Sequence, residues 1–187
     1  MVKKIKACIF ISGKGSNLQS IIKNSRDYNF PIKIGLIISN NINAKGLKLA
    51  KKYSIPYKFI SYKSRRIFER KCLFEIKKNK IKFLCLAGFM KVLSNNFIKS
   101  FGYKIINIHP SLLPKYKGLN THERVLKNKE KYSGCTVHFV TSKLDSGKII
   151  SQKKVLIDKN ETEQSLKKKI LVQEHKLYSQ SIISIFK

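Results

Sequence analysis

Asn107 and His109 stand two residues apart in the stretch NIHPSLLPKYKGLNTH, which runs from Asn107 to His122. In an extended strand, residues i and i+2 point to one face, so the amide and the imidazole converge on one region of space. Pro110 and Pro114 restrict the backbone that follows. A lone histidine is more often structural than catalytic. A histidine paired with an asparagine at this spacing, opening a proline-fixed loop, shifts the balance towards catalysis.

Three other stretches carry groups of chemical interest. SGKGSN, residues 12–17, joins an apolar strand to a helix, where glycines permit a tight turn and free N–H groups can meet an anion. It is not a dinucleotide fingerprint: Leu18 stands where a third glycine belongs, and SNNIN, residues 39–43, offers no acid for a ribose. The spacing of a Walker A loop is also missing, so a single phosphate is the better match. Asp145, one of three aspartates in the chain, lies in the turn KLDSGK. If that turn reaches His109, its carboxylate favours the imidazolium and raises the histidine pKa. LAGFMKVLS, residues 86–94, could wall a flat ring system.

The elements that would position these groups alternate along the chain. Residues 6–12, 33–39, 57–60, 82–87 and 104–109 read as strands, and residues 18–23, 44–53 and 66–79 as helices. Continuous apolar strands separated by helices predict an open, mostly parallel α/β sheet covered on both faces. The C-terminal ends of parallel strands share one edge, which brings residues 12–17 and the Asn107/His109 pair together. Residues 134–140 and 148–157 read as later strands that add an antiparallel portion. A long helix follows over residues 161–186, opened by a capping box at Asn160 and Glu163. On its wheel Leu166, Ile170, Leu177, Tyr178, Ser181 and Ile185 share a side with Glu174. An acid on an apolar stripe needs either a functional purpose or a neutralising lysine.

The chain of 187 residues is expected to form one domain, residues 1–187, and its 42% hydrophobic content suffices for a core. Cysteines at 8, 72, 85 and 135 form no C-x-x-C pair, which suggests reduced thiols and a cytoplasmic protein. No apolar run approaches membrane-spanning length, so no membrane partner is expected. The net charge of +30 suggests an anionic partner. The lysines are nevertheless dispersed, so no specific nucleic acid is expected, and a positive field would equally draw phosphorylated or polycarboxylate substrates.

Taken together, ISGKGSNLQSII, LAGFMKVLS, NIHPSLLPKYKGLNTH, GCTVHFVTSKLDSGKII and VQEHKLY resemble, in order, the phosphoribosylglycinamide formyltransferase family. The resemblance implies a Rossmann-like formyltransferase fold. It also implies transfer of a formyl group from the co-substrate 10-formyltetrahydrofolate to the amine of glycinamide ribonucleotide, in de novo purine synthesis and without a metal. By position, Asn107, His109 and Asp145 match the catalytic residues: Asn107 and His109 would stabilise a tetrahedral oxyanion, with Asp145 tuning His109. Gly15, Ser16 and Asn17 match phosphate-binding positions, and Glu174 a position near the glycinamide amine. Arg65, Met90, Lys91, Val92 and Leu93, with Asn107, match folate-contacting positions. Lys117 replaces the proline of the more usual KYPG. A monomer or weak homodimer is expected. Two alternatives stay open at this point: a formyltetrahydrofolate deformylase-like hydrolase, and a non-catalytic basic relic that binds RNA or anions.

Overall fold

The computed structural model describes residues 4–187. Its elements run β1 (Ile5–Ile11), α1 (Ser16–Ser25), β2 (Ile32–Ser39), α2 (Lys45–Lys52), β3 (Tyr57–Phe59), α3 (Arg65–Lys78), β4 (Phe83–Leu86), α4 (Asn95–Phe101), β5 (Ile105–His109), α5 (Thr121–Lys127), β6 (Tyr132–Phe139), β7 (Ile149–Leu156) and α6 (Glu163–Phe186). One seven-stranded sheet has the order β3-β2-β1-β4-β5-β6-β7. The first five strands are parallel, and β6 and β7 pair antiparallel at one end.

Period-2 alternation in β1 divides the core in two. Ala7, Ile9 and Ile11 face α1, α2, α5 and α6, joined by Leu18, Ala50, Val125, Leu166 and Ile170. Cys8 and Phe10 face α3 and α4, meeting Phe68, Cys72, Phe97 and Phe101. A strand buried on both faces needs apolar residues at every position, which is why β1, β2 and β4 read as unbroken runs. All four cysteines are free and buried.

Helix α6 lays Leu166, Ile170, Tyr178 and Ile182, each 0% exposed, against the sheet. Each such side chain contributes about 1.5–3 kcal/mol by burial. Tyr178 also donates its hydroxyl to the carbonyls of Leu86 at 2.9 Å and Ile106 at 3.2 Å, which ties the helix to the strands that carry the site.

Two details differ from the sequence reading. Thr162, rather than Asn160, caps α6, in a reciprocal box with Ser165. The Thr162 hydroxyl accepts from Ser165 N at 3.1 Å, and the Ser165 hydroxyl from Thr162 N at 2.9 Å. A hydroxyl pair three residues apart does the work assigned to Asn and Glu. Helices α4 and α5 were not anticipated, because seven residues are too few to display a 3.6-residue period. Buried Glu69 secures α4: it accepts from Ser94 N at 2.7 Å and Ser94 Oγ at 2.5 Å, while Ser94 caps the helix.

The chain leaves β1 for β2 and β3 on one side and returns to β4 and β5 on the other. The crevice at the strand ends between β1 and β4 is therefore the switch point where open α/β sheets bind ligands.

Candidate active site

The two signals from the first and fifth strands meet at this edge. After β1, Gly15 takes φ +77° and starts α1, leaving the first N–H groups of a ten-residue helix open to an anion. A Cβ on Gly15 would lie 2.8 Å from the Gly46 Cα, so the turn tolerates only glycine. Residues Gly15, Ser16 and Asn17 line a cleft closed on its far side by Ala87, Gly88 and Met90. Ser12 braces it: its Oγ accepts from Met90 N at 2.9 Å and donates to Asn40 Oδ1 at 2.6 Å.

Asn17 and Glu174 lie far apart in sequence and meet here. Asn17 Nδ2 donates to Glu174 Oε2 at 3.1 Å, and both residues are buried. Among the described residues no lysine pairs with Glu174. Burial raises its carboxyl to about 7, against the Asn17 hydrogen bond, which lowers it. Asn17 Oδ1 is buried and has no hydrogen-bond partner among the described residues. The pair thus offers one unused acceptor and one carboxyl poised near neutrality.

Asn107 and His109 share a face of β5, as the spacing requires. Antiparallel register places His138 opposite Asn107. Its Nδ1 lies 2.9 Å from the Phe139 carbonyl, so in the neutral ring that nitrogen carries the proton and Nε2 accepts from Asn107 Nδ2 at 3.2 Å. One amide N–H of Asn107 is thereby fixed, and the geometry of the second follows from it.

The turn carrying Asp145 folds over the same edge, with Asp145 itself at φ +45°. Asp145 Oδ2 lies 3.4 Å from His109 Nδ1, and Oδ1 lies 3.6 Å from His138 Nε2. Its side chain is 7% exposed. Gly118 N donates to Oδ2 at 2.9 Å. Burial alone would raise the Asp145 carboxyl, but the His138 ring, the Gly118 N–H and His109 hold it below the usual carboxylate range.

His109 Nε2 donates to the Tyr116 carbonyl at 2.8 Å. Both ring nitrogens therefore face acceptors, which favours the imidazolium. The net direction nevertheless corrects the sequence expectation. Burial lowers the His109 pKa below its ordinary value; the Tyr116 carbonyl and Asp145 oppose this without overcoming it, and His138 and Arg124 add to the lowering. Desolvation of a ring 5% exposed outweighs one carboxylate beyond hydrogen-bond distance.

A second cleft, of about 70 Å³, is lined by Asn107, His138 and Asp145 together with Leu86, Phe89 and Leu93. Lys91 and Val92 line it as well, with Lys143 and Leu144 across from them. The segment after β4 separates the two clefts, turning Ala87, Gly88 and Met90 to one and Phe89, Lys91, Val92 and Leu93 to the other. Met90 thus faces the cleft of Gly15, 59% exposed. Arg65 begins α3, exposed, and lines neither cleft. Its neighbourhood is linked to the second cleft through Tyr62, whose ring lies 4.8 Å beneath Lys91 Nζ.

The Asn107, His109 and Asp145 cluster thus lies beside the α1 N-terminus at the switch point of an open α/β sheet. Residues 5–182 match the family described as Formyl transferase, and the chain belongs to that family. It is 37% identical over 173 residues to phosphoribosylglycinamide formyltransferase of Escherichia coli, covering 91% of this chain and 82% of the relative. It is 39% identical over 179 residues to the human trifunctional purine biosynthetic protein adenosine-3; there the match covers 94% of this chain and only 18% of the relative. Among solved structures, phosphoribosylglycinamide formyltransferase from Campylobacter jejuni superposes with a TM-score of 0.92 at 33% identity, covering 100% of both chains.

His138 was missed by sequence reasoning. Its signal was present, since any antiparallel pairing of β5 with β6 that aligns Ile108 with Val137 sets His138 against Asn107. The Tyr116 carbonyl had no signal, because a backbone acceptor leaves no trace in residue type.

Proposed function

We propose that the chain transfers the formyl group of 10-formyltetrahydrofolate to the primary amine of glycinamide ribonucleotide, a step of purine synthesis. The observation that carries this reading is the approach of Asp145 to His109, 3.4 Å apart and buried, beside the Asn107 amide at the switch-point edge. Family membership and the names of the similar proteins support the choice of substrates.

In this reading, the N–H groups of Gly15, Ser16 and Asn17 receive the ribonucleotide phosphate. Glu174, as a carboxylate, holds the glycinamide amine near the formyl carbon. The folate ring lies in the cleft of Leu86, Val92 and Leu93, where backbone groups of the segment after β4 meet its edge. Lys91 faces its extended portion, while Met90 faces the ribonucleotide cleft.

The amine lone pair attacks the formyl carbon, and the carbonyl π electrons move to oxygen. The oxyanion receives the free N–H of Asn107 and the His109 imidazolium proton on Nδ1. Burial disfavours the His109 imidazolium, whereas the Tyr116 carbonyl, Asp145 and the developing oxyanion all favour it. Asp145 stabilises the imidazolium and relays the amine proton towards N10 of the folate. Collapse re-forms the carbonyl, breaks the bond to N10, and leaves N-formyl product and tetrahydrofolate. No covalent enzyme intermediate is needed.

The test is formyl transfer measured with each substrate omitted in turn. Product that requires both substrates supports the reading. Formate release that is indifferent to the ribonucleotide replaces it with hydrolysis.

A further inference from the structure

The loop from Lys115 to Gly118 supplies both backbone groups that hold the His109–Asp145 pair. The Tyr116 carbonyl accepts from His109 Nε2, and Gly118 N donates to Asp145 Oδ2. Tyr116 takes φ +56°, a left-handed conformation that non-glycine residues adopt only when their surroundings impose it. The site therefore depends on whatever fixes that residue.

One fixing is local: the buried Ser111 hydroxyl donates to the carbonyls of Lys115 at 2.8 Å and Tyr116 at 3.3 Å. The others lie outside the active site. The Tyr116 hydroxyl donates to Glu130 Oε1 at 2.9 Å and accepts from Asn128 Nδ2 at 2.9 Å. Lys115 Nζ donates to the same Glu130 oxygen at 2.9 Å. Two consecutive loop residues are thus anchored on one carboxylate. The Arg124 guanidinium lies 5.4 Å from the Tyr116 ring centroid and donates to the Lys117 carbonyl at 2.7 Å. Glu130, Asn128 and Arg124 all follow from α5 and its C-terminal turn, which packs on the core through Val125.

We propose that Glu130 is a positioning residue for the reaction: through the Tyr116 hydroxyl and Lys115 it fixes the loop whose backbone orients His109 and Asp145. Glu130 touches neither cleft and has no part in binding or chemistry itself. The inference rests on the formyl-transfer reading for its catalytic consequence, but its structural content is independent of substrate. The ionisable groups that face His109 are Asp145, His138, Arg124 and His122. None of them is altered by changing Glu130, so a change in His109 titration reports the loop.

The experiment follows the His109 ring by NMR titration in the full chain, in wild type, Glu130→Gln and Tyr116→Phe. Glutamine keeps the size of the side chain and removes its charge; phenylalanine keeps the ring and removes the hydroxyl. Loosening the Tyr116 carbonyl weakens the contact that raises His109, so its midpoint is expected to move down by about half a unit in both variants. With the two substrates, kcat is expected to fall about fivefold while both KM values stay within about twofold, as for loss of alignment rather than of binding. A His109 curve superimposable on wild type in both variants overturns the proposal. A wild-type protein without formyl transfer overturns the functional reading alone, since the titration still decides whether Glu130 positions His109.

Discussion

Asp145 Oδ2 lies 3.4 Å from His109 Nδ1, too far for a strong hydrogen bond and near enough for the carboxylate charge to oppose the desolvation of the ring. The pair is set by a positive-φ turn at Asp145 and by Gly118 N, which fixes the oxygen facing the histidine. Asp145→Asn removes the charge and keeps the shape. The His109 midpoint then falls further, because only the Tyr116 carbonyl is left to oppose burial, and kcat for formyl transfer falls by about two to three orders of magnitude. An NMR titration and a steady-state assay check the two parts. An unmoved midpoint contradicts the electrostatic role.

His138 fixes the Asn107 amide by accepting one of its protons. His138→Leu leaves Asn107 free to turn, and about tenfold or more of kcat is lost with little change in ribonucleotide KM. His138→Gln, which can still accept, should recover part of the loss. Equal losses in both variants would mean that His138 acts through Asp145 instead.

Stability should depend on pH through groups of opposite sign. Folding raises the Glu174 carboxyl from 4.5 to about 7, so its contribution is complete below the unfolded value and disappears as pH rises through 7. Folding lowers His122 from 6.5 to about 4 through burial, with Lys167 and His109 adding to the shift; its contribution is present above the unfolded value and disappears as pH falls through 4. The Glu174 contribution is worth up to ~3 kcal/mol, and that of His122 is smaller because its ring is partly solvated. His109 and His175 share the direction of His122, so wild type loses stability on acidification from pH 6.5. Glu174→Gln removes the opposing term and steepens that loss, whereas His122→Leu makes it shallower. Urea denaturation between pH 4 and 7.5 measures the slopes; identical slopes in all three proteins contradict the assignment.

The net charge of +30 bears on association, since both proposed substrates are anionic. Raising ionic strength from about 0.05 to 0.5 M shortens the Debye length and should reduce kcat/KM by about tenfold, chiefly through KM. A salt-independent kcat/KM would mean that the lysines only solvate the surface.

The legible part of this site was the part encoded by periodicity. Two-residue spacing put Asn107 and His109 on one face, and continuous apolar runs in β1 and β4 announced a sheet covered on both sides. Asp145 and Glu174 were visible as acids in a basic chain, but their partners depend on how distant elements cross. The resemblance supplied those assignments where spacing could not. The direction of the His109 shift was misread because burial, invisible in sequence, outweighs the neighbouring carboxylate. Lys117, noted only as a replacement for proline, proves to reach across to Ser146 Oγ at 2.6 Å, beside Asp145. Contacts of this kind, and those of the Tyr116 carbonyl, arise from loop geometry rather than from residue pattern.

The most direct measurement is single-turnover formyl transfer from 10-formyltetrahydrofolate to glycinamide ribonucleotide by wild type and His109→Ala, beside a control without the acceptor. The expected result is formylated ribonucleotide in stoichiometric amount from wild type, a rate lower by at least about a hundredfold in the variant, and no formate when the acceptor is omitted. Equal rates in wild type and variant, or formate released without acceptor, would contradict the account.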